Sequence, residues 1–220
     1  MTPQVKAAEL VDRLSALRAE KPVGNAVLDE LAKGRLTVDH LRGLVLSEAQ
    51  AHEAELVFYG MGMARYPHRP AVQLFTRLAE LVANATPKLT ACAHALGLTD
   101  AQLRRRVPDP RIHAFNGCAS WIAARGSQTC MALAMHTDMT VYFRDCLKLV
   151  AGIRESSLTV PEEVISYYEG TAEDELLSLA LDVVDDGLKR GDDPDDAVFS
   201  ARLLEANIGE VWRSAVESWA

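Results

Sequence analysis

Residues able to move protons recur at helical spacing in the stretch 44–59, LVLSEAQAHEAELVFY. No Pro or Gly interrupts it, and good helix formers fill it. On a helix, Glu48, His52, Glu55 and Tyr59 fall at i, i+4, i+7 and i+11, a single continuous stripe. Two carboxyls, an imidazole and a phenol on one face can hold an amine or relay protons when they line a pocket. Facing water, the same residues are only a solvated edge, so the other helices must decide between the two.

Those helices carry polar interruptions of their own. In 130–143, CMALAMHTDMTVYF, an apolar run is broken by His136, Asp138 and Thr140. Asp138 and Tyr142 are four apart and share a face with Ala134, whereas His136 points elsewhere, beside Leu133 and Thr140. An ionised carboxylate in so apolar a run requires a partner or a pocket. Further on, Tyr167 and Tyr168 can bury their rings while their hydroxyls reach a polar group, and the acids after them, Glu169, Glu173 and Asp174, read as solvated. In the last helix Glu205 and Trp212, seven apart, share a face amid Leu204, Ile208 and Val211, which makes Glu205 a second candidate internal carboxylate.

Several signatures are missing. There is no P-loop, no GxGxxG after a strand, no HExxH and no GxSxG. No two of the six histidines lie three to five residues apart, as common zinc sites require, and the Glu-x-x-His pair of dinuclear carboxylate bundles does not occur. Glu48 and His52, four apart, are compatible with one metal contact but do not specify it, and no metal ligands are assigned.

To position these residues the chain must fold almost wholly as helices. Periodicity predicts helices over about 3–20, 25–33, 37–64, 71–96, 112–153, 161–189 and 194–219, with a short basic turn at 100–106. Gly34 and Gly97 are placed as C-caps. Thr37 is an N-cap with His40 rather than Glu three residues on, so only half a capping box is expected. Pro87 predicts a kink or break in the fourth helix, and Gly117 and Gly126 predict a bend or division of the fifth. The expected fold class is all-α, an irregular bundle of about seven helices. Residues 1–220 form one helical domain in this reading, with 1–34 as an N-terminal appendage packed on the bundle.

The 220 residues are 49% hydrophobic, enough for a sizeable core. The net charge of -8 argues against nucleic acid or an anionic membrane as partner. No apolar run reaches the roughly 20 residues needed to span a bilayer, and the first twenty residues have no signal-peptide core, so a cytoplasmic location is expected. Cys92, Cys118, Cys130 and Cys146 form no CxxC pair and are read as buried thiols.

Over residues 35–216, the order of these features resembles the haem-oxygenase-like superfamily, in particular its TenA and PqqC branch and the diiron-oxidase relatives. The resemblance implies that Glu48 stands where an acid holds the substrate amine. It implies that Asp138 and Tyr142 stand where the family has a cysteine nucleophile followed four residues later by tyrosine, so the cysteine is replaced. Tyr167 or Tyr168 matches a pocket tyrosine, and Glu205 to Trp212 is a looser form of a C-terminal Glu–aromatic–Trp motif. The diiron relatives need a Glu with a His seven residues on. Glu80 matches the first, but Pro87 occupies the histidine position.

The expected activity is therefore TenA/PqqC-like: acid/base chemistry on an amine-bearing or polar small molecule in an enclosed pocket, with no cofactor. Glu48, His52, Asp138, Tyr142 and Glu205 are the expected catalytic groups. Tyr59, His136, Tyr167, Tyr168 and Trp212 are the expected substrate contacts. One alternative is an iron oxidase with variant ligands drawn from Glu48, His52, Glu80, His136 and Asp138. The other is a catalytically inactive member that binds a ligand or partner. A homodimer is expected, with Trp219 as a contact.

Overall fold

A computed structural model describes residues 5–217. Ten α-helices and no strand occur among them: α1 (Ala7–Glu20), α2 (Ala26–Ala32), α3 (Val38–Arg65), α4 (Ala71–Ala95), α5 (Asp100–Arg104), α6 (Pro110–Arg125), α7 (Gln128–Glu155), α8 (Glu162–Tyr168), α9 (Asp174–Lys189) and α10 (Pro194–Glu217). The fold is all-α as expected, but ten helices replace the expected seven because two long predicted helices are each divided and the short turn at 100–106 forms α5.

Gly126 ends α6, and Ser127 then caps α7 by accepting from the Cys130 N–H. A β-carbon at position 126 would sit 2.7 Å from the Ile122 carbonyl oxygen. The second division falls at 169–173, where the chain leaves α8 and restarts as α9. Pro87, by contrast, does not break α4, although it gives the Ala83 carbonyl no N–H to accept from.

The caps show one correction. His40 completes the capping box that only Thr37 was expected to supply. Its Nδ1 accepts the Thr37 N–H at 3.3 Å while Thr37 Oγ1 accepts the His40 N–H at 3.3 Å. Gly34 and Gly97 follow α2 and α4 in the left-handed region, at φ 66° and 81°. The first residues of the predicted N-terminal helix and Trp219 lie outside the described residues.

α7 is the central element, packed against α10, α9, α2 and α8, and α3 packs against α4, α6 and α10. One hydrophobic core runs through all of them. It includes Leu10 and Leu14 of α1 and Val27 of α2, so the N-terminal helices share the bundle's interior. No described helix is long and apolar enough to cross a membrane.

α3 and α4 approach closely at Gly62, where an added β-carbon would lie 2.6–2.8 Å from ring carbons of the fully buried Phe75. Gly62→Ala is therefore expected to destabilise the fold by roughly 1–2 kcal/mol despite its better helix propensity. Urea unfolding, read as a lower midpoint at unchanged slope, checks it.

Candidate functional site

The sequence places α3's polar stripe inside the bundle. Glu48 is 4% exposed and Tyr59 2%, and both line a cavity of about 260 Å³ together with His52 and Glu55. α7 contributes Asp138, Met139, Tyr142, Phe143 and Cys146; α8 contributes Ser166, Tyr167 and Tyr168; α10 contributes Ile208, Val211 and Trp212. Leu81, Asn84, Ala85 and Lys88 of α4 and Gly170 and Thr171 of the α8–α9 connection complete it. Asn84 and Lys88 are exposed, so the cavity reaches the surface beside them.

Glu48 is the best-organised group. The Tyr142 hydroxyl donates to its Oε1 at 2.7 Å and the Tyr168 hydroxyl to its Oε2 at 2.9 Å. Burial disfavours the carboxylate and these phenols favour it; burial prevails, and the carboxyl is pushed up to about 7. The same burial holds the Tyr142, Tyr167 and Tyr168 hydroxyls protonated. Tyr142 also stacks on Trp212, with ring centroids 5.7 Å apart and planes 23° from parallel.

His52 is wired into the same cluster. Thr86 Oγ1 donates to the Val82 carbonyl at 2.9 Å, so it accepts from His52 Nδ1 at 3.1 Å. The other nitrogen, Nε2, then accepts the Tyr167 hydroxyl at 3.1 Å. Burial lowers the imidazole to about 4, so it is neutral near pH 7.

Glu55 and Asp138 form the other end of the cavity. As α3 advances from Glu48 to Glu55, its partners on α7 step back from Tyr142 to Asp138, so the two helices run antiparallel here. Burial, then the neighbouring Asp138 and Glu48 charges, push Glu55 far above the carboxylate range, and burial raises Asp138 as well. Burial and the proximity of two like charges both favour the protonated forms here. Neither carboxyl accepts a hydrogen bond from another described residue.

Of the residues expected from sequence, Glu48, His52, Asp138, Tyr142, Tyr59, Tyr167, Tyr168 and Trp212 meet in this cavity. Glu205 and His136 do not. Seven residues return a helix to nearly the same face but carry it about 10 Å along the axis. That displacement takes Glu205 from Trp212's cavity to α1, where it pairs with Arg18 Nε and Arg202 Nη1, both at 3.0 Å. It lines a separate polar cleft with Arg18, Asn25, Arg144 and Asp145. His136 lies two residues from Asp138, about 200° around α7; burial and the nearby Arg18 lower it to about 4.

Glu80 is exposed, and Glu169 and Glu173 form surface pairs with Arg154 and Arg77. All four cysteines are buried; burial pushes Cys92 up to about 12, Cys118 to about 11 and the cavity-lining Cys146 higher still than an ordinary thiol. Sequence reasoning missed Phe115, Phe143, Asn84, Lys88, Ser166 and Thr171. Phe143 had a signal in its place beside Tyr142, and the α4 and connection residues had none.

No family model matches the chain, and no curated protein matches it by sequence. Solved structures do. A TenA homologue from Pseudomonas syringae pv. tomato superposes with a TM-score of 0.72 at 13% identity, over 99% of this chain and 98% of that one. A TenA homologue from Pyrococcus furiosus gives 0.70 at 13% identity, over 94% and 99%. One from P. horikoshii gives 0.69 at 15% identity, over 96% and 100%.

Because Glu48 is 4% exposed and its folded value of about 7 lies above the ordinary 4.5, its contribution to stability is present in full below about pH 4.5. That contribution is lost as pH rises through about 7. His52, lowered to about 4, acts in the opposite direction below about pH 6.5, so the test compares variant with parent. From about pH 5 to about pH 8, Glu48→Gln is expected to gain roughly 1–3 kcal/mol relative to the parent, measured by urea unfolding across that range. At this level of identity the likeness shows the fold: the chain has the fold of the TenA homologues.

Proposed function

We propose that this protein is an enzyme performing cofactor-free acid/base chemistry on a small amine-bearing or polar metabolite in the cavity between α3, α7, α8 and α10. The observation that carries this reading is Glu48, buried and held by Tyr142 and Tyr168 in a cavity that Glu55 and Asp138 also line. A carboxyl near 7 in an enclosed site is partly ionised at neutral pH and can both accept and release a proton.

In this reading Glu48 holds the ligand's amine, with its geometry fixed by the two phenols. The Glu55–Asp138 pair supplies or takes up a proton at the other end. Neutral His52, whose Nε2 accepts from Tyr167, keeps that phenol oriented and can take a proton passed through it. The stacked Tyr142 and Trp212 form an apolar wall that confines the ligand.

Two observations bear on the alternatives. TenA-type covalent catalysis through a cysteine would have to do without the expected position, because Asp138 occupies it and Cys146, one turn beyond Tyr142, is held as a neutral thiol. The residues do not fit an iron pair. His52 is the one histidine lining the cavity, and both its ring nitrogens are engaged by Thr86 and Tyr167. Among the described residues no group of three or more His, Cys, Asp or Glu is placed to hold a metal.

The test is turnover of a panel of amine-bearing metabolites followed by mass spectrometry. Glu48→Gln is expected to lower kcat/KM by roughly 10²–10⁴-fold, with the cavity fold retained by circular dichroism. Unchanged turnover in Glu48→Gln would remove the reading.

A further inference from the structure

The cavity has two acidic stations rather than one. Glu48 and Glu55 are seven residues apart on one face of α3, which sets them about 10 Å apart along the axis. On α7 the corresponding residues are four apart, about 6 Å along the axis, with Tyr142 at Glu48 and Asp138 near Glu55.

The stations differ in how they are satisfied. Both oxygens of Glu48 already accept a phenol. Glu55 and Asp138, half-buried, line the cavity with no donor from another described residue, and the buried Trp212 indole N–H, in the same lining, has no acceptor among those residues. Facing open cavity space, these carboxyls can accept from donors that a ligand carries. The one cationic side chain in the lining is Lys88, which sits exposed at the mouth. Between the stations the walls are aromatic and apolar, suited to a hydrocarbon spacer and to a cation near a ring face.

We infer that the cavity takes a molecule with a basic nitrogen at each end, a short aliphatic α,ω-diamine, one ammonium at Glu48 and the other at Glu55 and Asp138. The inference rests on the amine-site reading above and narrows it to a substrate class. Allowing a charge-assisted contact of about 2.8 Å at each end, the span leaves about 4–5 Å between the nitrogens in line, and up to roughly 8 Å where the contacts are set to the side. An ammonium docked beside these two carboxyls favours their ionised forms, so binding is coupled to proton release.

Isothermal titration calorimetry of the whole protein with putrescine, cadaverine and butylamine, in buffers of differing ionisation enthalpy, tests this. Putrescine or cadaverine is expected to bind at least about tenfold more tightly than butylamine and to release protons on binding. Glu55→Gln and Asp138→Asn should each collapse the diamine-to-monoamine ratio toward one. Butylamine binding with no diamine advantage overturns the two-station inference while leaving the amine site standing. Binding of none of the three overturns the amine site itself. The comparison of ligands on the unaltered protein needs no variant, so a variant that fails to fold does not blunt it.

Discussion

A carboxyl buried at the middle of a helical bundle cannot be left without donors, and Glu48 takes its two from different helices. Tyr142 reaches it from α7 and Tyr168 from α8, while Glu48 itself belongs to α3. Three elements far apart in sequence are thereby fixed around one pair of oxygens. Neighbouring polar groups on α3 turn to their own helix instead, although the buried Gln50 Oε1 is left without a donor among the described residues. Ser47 and Gln50 donate back to carbonyls of their own helix, those of Gly43 and Leu46. The short α8, cut off from α9 after Glu169, brings Tyr167 and Tyr168 to the cavity edge-on to one another, with centroids 4.9 Å apart.

The interior holds buried acids solved in three ways. Glu48 is solved by neutral phenols, which keep it near the middle of the physiological range. Glu205 is paired with two guanidiniums, Arg202 on its own helix and Arg18, which ties α10 to α1. Glu55 and Asp138 are left to each other. A sequence selected for stability alone would place apolar residues at these two positions, since local rules are broken mainly where a site has a task. That contrast separates the structural acid from the others more sharply than burial does, because Glu48 and Glu205 are equally buried.

Much of this was legible in the sequence. Helical spacing put Glu48, His52 and Tyr59 on one face, and the apolar surroundings of Asp138 and Tyr142 argued for the interior. What spacing cannot supply is position along the axis: Glu205 and Trp212 share a face, yet one meets Arg18 and the other the cavity. Nor does a one-dimensional pattern show which glycine ends a helix. Gly117 has open space around its α-carbon and stays inside α6, while Gly126 faces the Ile122 carbonyl and ends it. The mouth residues Asn84 and Lys88 were invisible because an exposed polar residue beside a proline has many ordinary explanations. His40 shows a further limit, as an imidazole nitrogen can accept a hydrogen bond where the motif names a carboxyl.

Trp212 and Ile208 line both the cavity and the polar cleft that contains Glu205. The two spaces are thus neighbouring rooms with a shared wall in which one indole is the largest panel. Wall thickness here is a single side chain, not a helix. The length of molecule the interior accommodates is consequently not fixed by the fold: a smaller residue at this position would open a passage toward the N-terminal helices without moving any backbone. The bulk of Trp212 is what keeps the two spaces apart.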